Sequence, residues 1–187
     1  MKLGLFGGTF DPPHLGHVLA AMDAAEALAL DQLIWVPAAT QPLKAGVPSA
    51  DAEHRLAMTR LAAALDPRFS VEALEVERGG LSFTIDTVRA FRERQPGATL
   101  FLLLGADAAA SLPKWRDPEG IRAMAEIVVL TRGGDGLMLP AGARTVATRR
   151  VDISATEIRE RVRVGRSIRG FVPDAVAAYI AAHGLYR

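Results

Sequence analysis

The residues best suited to chemistry lie in one run near the amino terminus, Gly7-Gly8-Thr9-Phe10-Asp11-Pro12-Pro13-His14-Leu15-Gly16-His17. Two adjacent glycines at the end of an apolar segment let the backbone approach a ligand closely, because neither carries a Cβ. The residues after them lead into a helix whose first turn offers unpaired N–H groups and the positive end of the helix dipole, a natural anion site. His14 and His17, three residues apart, fall on the same side of that turn. Their imidazoles can donate hydrogen bonds to phosphate oxygens without the desolvation cost of burying a lysine. Two plainer readings stand beside this one. A histidine at a helix start can simply cap it, and Asp11, His14 and His17 are all potential metal ligands. The remaining histidines, His54 and His183, fall in helical segments, so a three-histidine site would need an improbable fold-back.

These residues must be held by the elements around them. Leu3 to Phe6 is a short apolar run stopped by Gly7-Gly8, as expected of a buried parallel strand. The pattern predicts a helix from Gly16 to Leu30, a second buried strand over Leu33 to Val36, an irregular stretch from Ala38 to Ser49, and a helix from Asp51 to about Leu65. Phe69 to Val76 alternates loosely and reads as a third strand. Ser82 to Gln95 is helical, and Thr99 to Leu104 is the clearest core strand. Short helices over Asp107 to Leu112 and Asp117 to Ala125 follow, with Pro118 in the first turn of the second. Ile127 to Thr131 is another strand, Gly133 to Gly142 a surface loop, and Arg144 to Val151 extended. Ser154 to Val164 and Asp174 to His183 are the final helices, with Gly184 as a stop. Strand and helix alternate without a repeat, which predicts an open α/β, doubly wound parallel sheet with C-terminal helices packed on the same core. Ligands gather at the carboxyl ends of the strands in such a sheet.

At 187 residues, half of them hydrophobic and 23% charged, the chain is sized and composed for one globular domain over residues 1–187. A formal net charge of +1 lacks the excess expected of a nucleic-acid binder. Only Lys2, Lys44 and Lys114 are lysines, and the other basic residues are arginine, whose planar fork suits phosphate. The absence of cysteine excludes disulfides, thiolate metal sites and a cysteine nucleophile. The apolar start is too short for a signal peptide and no run reaches membrane-spanning length, so a cytoplasmic protein is expected. Oligomeric state stays open, a homo-oligomer included.

The first run, with its strand, paired glycines, Phe10, Asp11, Pro12, His14, Gly16 and His17 in order, resembles the signature of the HxGH nucleotidyltransferases, a superfamily with a Rossmann-like sheet. The resemblance implies that Gly7, Gly8, Thr9, Phe10, His14 and His17 bind ATP. Asp152-Ile153-Ser154-Ala155-Thr156-Glu157-Ile158-Arg159 is similar to the second signature of that superfamily, usually Ile-Ser-Ser-Thr with Arg beyond it. Ser154 and Thr156 can cap a helix and present hydroxyls, and Arg159 can reach the β- and γ-phosphates with forked donors. Ile153 would join them at ATP. Ala155 stands where a second Ser is more common, so it contributes backbone alone. Lys44, in Gln41-Pro42-Leu43-Lys44, matches a loop position where relatives carry a basic residue facing the triphosphate; a surface lysine is the plain alternative. Ala38, Ala39 and Leu43 depart from the prolines, His and Asn usual there, so those contacts do not carry over.

Within the superfamily the resemblance is to the nicotinate-nucleotide adenylyltransferases, and it spans the chain. Gly105-Ala106-Asp107, with Leu112 and Trp115 after it, is similar to that family's strand-end acidic residue and pyridine-stacking Trp, and Gly105 and Asp107 would lie at ATP. Thr84, in Ser82-Phe83-Thr84-Ile85-Asp86-Thr87, matches a Thr that holds the nicotinate end. An indole offers a flat face to a pyridinium. The resemblance implies ATP and nicotinate mononucleotide as substrates, Mg²⁺ carried on the triphosphate, and catalysis by His14, His17, Lys44 and Arg159, with Lys44, Thr84 and Trp115 at the acceptor. Pantetheine-phosphate adenylyltransferase and nicotinamide-mononucleotide adenylyltransferase are the neighbouring alternatives. A dinucleotide-binding dehydrogenase needs a Gly-x-Gly-x-x-Gly turn and an acid after strand two, and the chain has neither.

Overall fold

The computed structural model describes residues 1–42, 50–131 and 140–187. Six strands form one parallel sheet: β1 (Lys2–Gly8), β2 (Gln32–Pro37), β3 (Phe69–Val71), β4 (Thr99–Gly105), β5 (Glu126–Thr131) and β6 (Arg144–Ala147), ordered β3-β2-β1-β4-β5-β6. The order runs outward in both directions from β1 and β4. Their carboxyl ends therefore flank the crevice where a doubly wound sheet takes its ligand.

Strand alternation explains the two-sided core. In β1 and β4, Phe6, Phe101 and Leu103 face α1 (Leu15–Leu28), α2 (Ala52–Ala63), α7 (Ala155–Arg163) and α8 (Asp174–Ala182). Leu3, Leu5, Leu100, Leu102 and Leu104 face the other way, onto α4 (Thr84–Arg94), α5 (Ala106–Ser111) and α6 (Pro118–Met124). A strand buried on both faces reads as a continuous apolar run, and Leu100 to Leu104 does. Alanines 21, 24 and 25 on α1 are buried and let that helix sit close to the sheet. No helix among the described residues is long and apolar enough to cross a membrane.

Three expectations change. The glycine pair belongs to β1 itself, Gly7 opposite Val36 and Gly8 opposite Pro37, rather than to a turn beyond it. Phe69 to Val76 is not one strand: pairing with β2 ends at Val71, and α3 (Leu74–Arg78) follows. Helical geometry buries Glu75 and Val76 together, and Gly79 and Gly80, at φ 66° and 65°, end the helix. The extended segment after Arg144 pairs with β5 only as far as Ala147.

Candidate active site

His14 caps α1 in extended conformation, and His17 occupies the third helical position. Their rings lie 3.7 Å apart between centroids, inclined by 32°. The backbone N–H of His14 donates to Nδ1 of His17 at 3.2 Å. That bond fixes the tautomer: with Nδ1 accepting, the single proton of a neutral His17 ring sits on Nε2, a donor. Phe10 supports the ring from beneath. It is 3% exposed, at φ 50°, and meets His17 edge-on at 5.3 Å. The Phe10 side chain is therefore a prop in the core, and only its backbone is left to meet a nucleotide. The glycines follow from the same packing. A Cβ on Gly8 would stand 2.8 Å from the Phe10 ring, and one on Gly16 would stand 3.0 Å from the His14 ring.

In the second signature Ser154 alone is the cap, and Thr156 lies within the first turn of α7. Ser154 caps α7, its hydroxyl accepting from Glu157 N–H at 3.1 Å. Arg159 donates to the Asp11 carbonyl at 2.7 Å and to the Thr156 hydroxyl at 3.2 Å. Its guanidinium also stands 3.8 Å from the Asp11 carboxylate. Ile153 is half-buried against the core beside α1. Thus the two signatures meet at Asp11, across 148 positions from Arg159. The Asp11 carboxylate is occupied there, by Tyr186, Ala50 and Arg159. No group of three or more potential metal ligands forms among the described residues.

A cleft opens at the carboxyl ends of β1 and β4. Gly7 and Gly8 line it on one side; Thr84, the first residue of α4, lines it on the other with Trp115, Lys114 and Arg116. Gly105 closes its edge at the start of α5, and Asp107 is exposed in the first turn of that helix. Trp115 follows a 3-10 turn (Leu112–Lys114), and its Nε1 donates to Ser111 Oγ at 2.9 Å, which sets the plane of the indole. Arg116 lies over the Phe83 ring, 4.9 Å from its centroid. Lys44 lies outside the described residues.

Four residues of the site were not foreseen. Arg55 of α2 is 2% exposed and donates to the carbonyls of Ala50, Thr9, Ala38 and Ala39 at 3.0, 2.9, 2.5 and 2.6 Å. It cross-braces the loops that follow β1 and β2. Thr9 adds a bond from its hydroxyl to Gln41 Oε1 at 3.0 Å. Glu75 lines the cleft, buried, and accepts from the Thr87 hydroxyl. Burial pushes its carboxyl above the ordinary value, against the opposing bonds from Thr87 and Ser82. Ser82 in turn accepts from Ala39 N–H at 2.9 Å. Tyr186, next to last in the chain, donates to Asp11 Oδ1 at 2.7 Å. A charged residue inside an otherwise apolar helix face was the available signal for Arg55. Nothing local marked the others.

Comparison with known proteins bears on these assignments. A model of the cytidylyltransferase-like family matches residues 5–161. A Gemmatimonas aurantiaca protein named "Probable nicotinate-nucleotide adenylyltransferase" is 54% identical, over 100% of this chain and 93% of its own length. A Thermus thermophilus protein of the same name is 48% identical over the whole of both chains. Among solved structures, the Plasmodium falciparum nicotinic acid mononucleotide adenylyltransferase complexed with NaAD superposes with a TM-score of 0.81 at 17% identity, covering 99% of this chain and 97% of that one. The same protein complexed with APC gives 0.79 at 16% identity, covering 99% and 96%.

Proposed function

The chain belongs to the nicotinate-nucleotide adenylyltransferase family of cytidylyltransferase-like proteins, and from that premise we propose that it moves the adenylyl group of ATP onto the 5′-phosphate of nicotinate mononucleotide. The products are deamido-NAD and pyrophosphate, which makes this a step of NAD biosynthesis. The reading rests on one observation above the rest: a single cleft whose one wall is Gly7 and Gly8 and whose other wall is Thr84 and Trp115. Backbone without side chains suits a triphosphate, and an indole with a hydroxyl suits a pyridine ring.

An oxygen of the acceptor phosphate attacks the α-phosphorus in line, and the bond from that phosphorus to the α,β-bridging oxygen breaks. The electron pair leaves with pyrophosphate. The nucleophile is already anionic at neutral pH, so no general base is called for. The protein's work is alignment and charge stabilisation. His17, its Nε2 proton fixed by the His14 N–H, donates to the α- and β-phosphates together with His14. Arg159, with Thr156 and Ser154 beside it and Lys44 from the sequence between β2 and α2, draws the leaving pyrophosphate. Gly8 and Thr9 contribute backbone amides. Mg²⁺ would come with the ATP substrate and would supply charge neutralisation on the triphosphate. The work is done by a single domain over residues 1–187, and we assign it to the cytoplasm.

A pyrophosphate-release assay with ATP and, in turn, nicotinate mononucleotide, nicotinamide mononucleotide and phosphopantetheine tests the reading. The first acceptor is expected to give the highest kcat/KM. Turnover restricted to phosphopantetheine would sink the proposal.

A further inference from the structure

The last residues of the chain turn back on the site. Gly184, at φ 61°, breaks α8, and Leu185 N–H bonds the carbonyl of Ile180 at 3.1 Å, closing a reversing turn. Tyr186 then adopts φ 64°, a left-handed conformation that costs a side-chain-bearing residue about 1–2 kcal/mol. Leu185 and Tyr186 pack, half-buried, against the core on the face of the sheet that α1, α2, α7 and α8 cover. The Tyr186 hydroxyl donates to Asp11 Oδ1 at 2.7 Å, where Ala50 N–H also donates at 3.1 Å. The other carboxylate oxygen faces Arg159 at 3.8 Å, beyond hydrogen-bond reach. Asp11 itself is 5% exposed, so whichever donors surround it are its only solvation.

Resting on the proposed adenylyl transfer, we infer that Tyr186 is a positioning residue for ATP: by occupying Asp11 Oδ1 it stops that carboxylate from drawing Arg159 into a bidentate pair, and so leaves for the triphosphate the guanidinium N–H groups that the Asp11 carbonyl and Thr156 do not take. An arginine next to a buried carboxylate would otherwise take the forked geometry both groups favour. Such a pair would withdraw two donors from the second signature. Burial and the Asp11 carboxylate push the Tyr186 hydroxyl well above its ordinary pKa, so it remains a donor throughout the neutral range.

The test is Tyr186→Phe in the full chain, which removes one hydroxyl and keeps the packing. Binding of a non-hydrolysable ATP analogue, measured by calorimetry, is expected to weaken about tenfold, the equivalent of one lost charge-assisted bond. In the pyrophosphate assay the ATP KM rises with it, while the KM for nicotinate mononucleotide moves less than about twofold and circular dichroism shows a folded protein. Asp11→Asn in the Tyr186→Phe background weakens the competing carboxylate and recovers part of the analogue affinity. Unchanged analogue affinity in Tyr186→Phe, or both KM values rising together, overturns the inference. A wild-type protein that binds the analogue yet releases no pyrophosphate would instead count against the proposed function, and the calorimetry would still judge Tyr186.

Discussion

In the proposed reaction His17 would act through geometry set by a neighbour's backbone. The bond from His14 N–H to Nδ1 leaves Nε2 as donor, and Phe10 below the ring limits its tilt. A donor aimed where charge develops acts mainly in the transition state. His17→Ala should therefore lower kcat by about a hundredfold or more while the acceptor KM stays nearly unchanged. Steady-state kinetics decides it, and a loss confined to KM contradicts the role. At this scale the sequence was most legible where chemistry is local. His14, His17, Ser154, Thr156 and Arg159 sit in two short runs, and the structure brings those runs together. Arg55 showed only as a charge on a buried helix face, its role unreadable, and Tyr186 did not show at all, each for a physical reason. The partners of Arg55 are carbonyl oxygens, which every residue has, and the partner of Tyr186 lies 175 positions away.

Among the elements, α2 and α3 carry more of the site than their length suggests. Arg55 turns α2 into a strut between the loops after β1 and β2, and a guanidinium fork alone can reach carbonyls in several directions. Arg55→Met leaves four buried acceptors without this donor, at about 1–3 kcal/mol each, so a loss of at least about 4 kcal/mol and a drop in Tm of roughly 8–16 °C are expected in a thermal melt. Arg55→Lys should recover only part of it. A melt unchanged by Arg55→Met would remove the strut from the account. In α3, the Glu75 carboxyl is raised by burial above its ordinary value. Its folded form thus prefers the proton, and the stability it contributes is complete below the ordinary carboxyl range and is lost as pH climbs through the raised value. Glu75→Gln should accordingly raise Tm at pH 7–8, with the difference from wild type shrinking as pH falls toward 4.5; a gap that widens on acidification is the contrary result. α3 escaped the sequence reading because Phe69 to Val76 keeps a loose period of two. A strand needs a neighbour to pair with, and β2 offers one only to Val71. The rest of the alternation of strand and helix was readable, since a sheet covered on both faces writes its core strands as unbroken apolar runs.

The whole molecule divides its labour across β1 and β4. The imidazoles and Arg159 stand over α1 and α7 on one face, and Trp115 stands beyond α5 on the other. Under the proposed function, ATP and the acceptor would meet at the crevice from opposite sides, each read by its own set of side chains. The chain's two tryptophans make that separation measurable. Trp35 is fully buried on β2, whereas Trp115 is half-buried with its indole lining the cleft. Adding nicotinate mononucleotide should quench fluorescence from Trp115, since an electron-poor pyridinium stacked on an excited indole accepts an electron from it, and ATP alone should leave the emission nearly unchanged. Trp115→Phe should abolish the acceptor-dependent quench, the buried Trp35 still emitting. In kinetics, Trp115→Ala removes a stacking contact worth about 0.5–1.5 kcal/mol beyond its area. The acceptor KM should rise roughly tenfold, with the ATP KM within about twofold of wild type. A quench produced equally by ATP, or one that survives Trp115→Phe, would mean that the two ligands share one side of the sheet and that the division between α1 and α5 has no counterpart in binding.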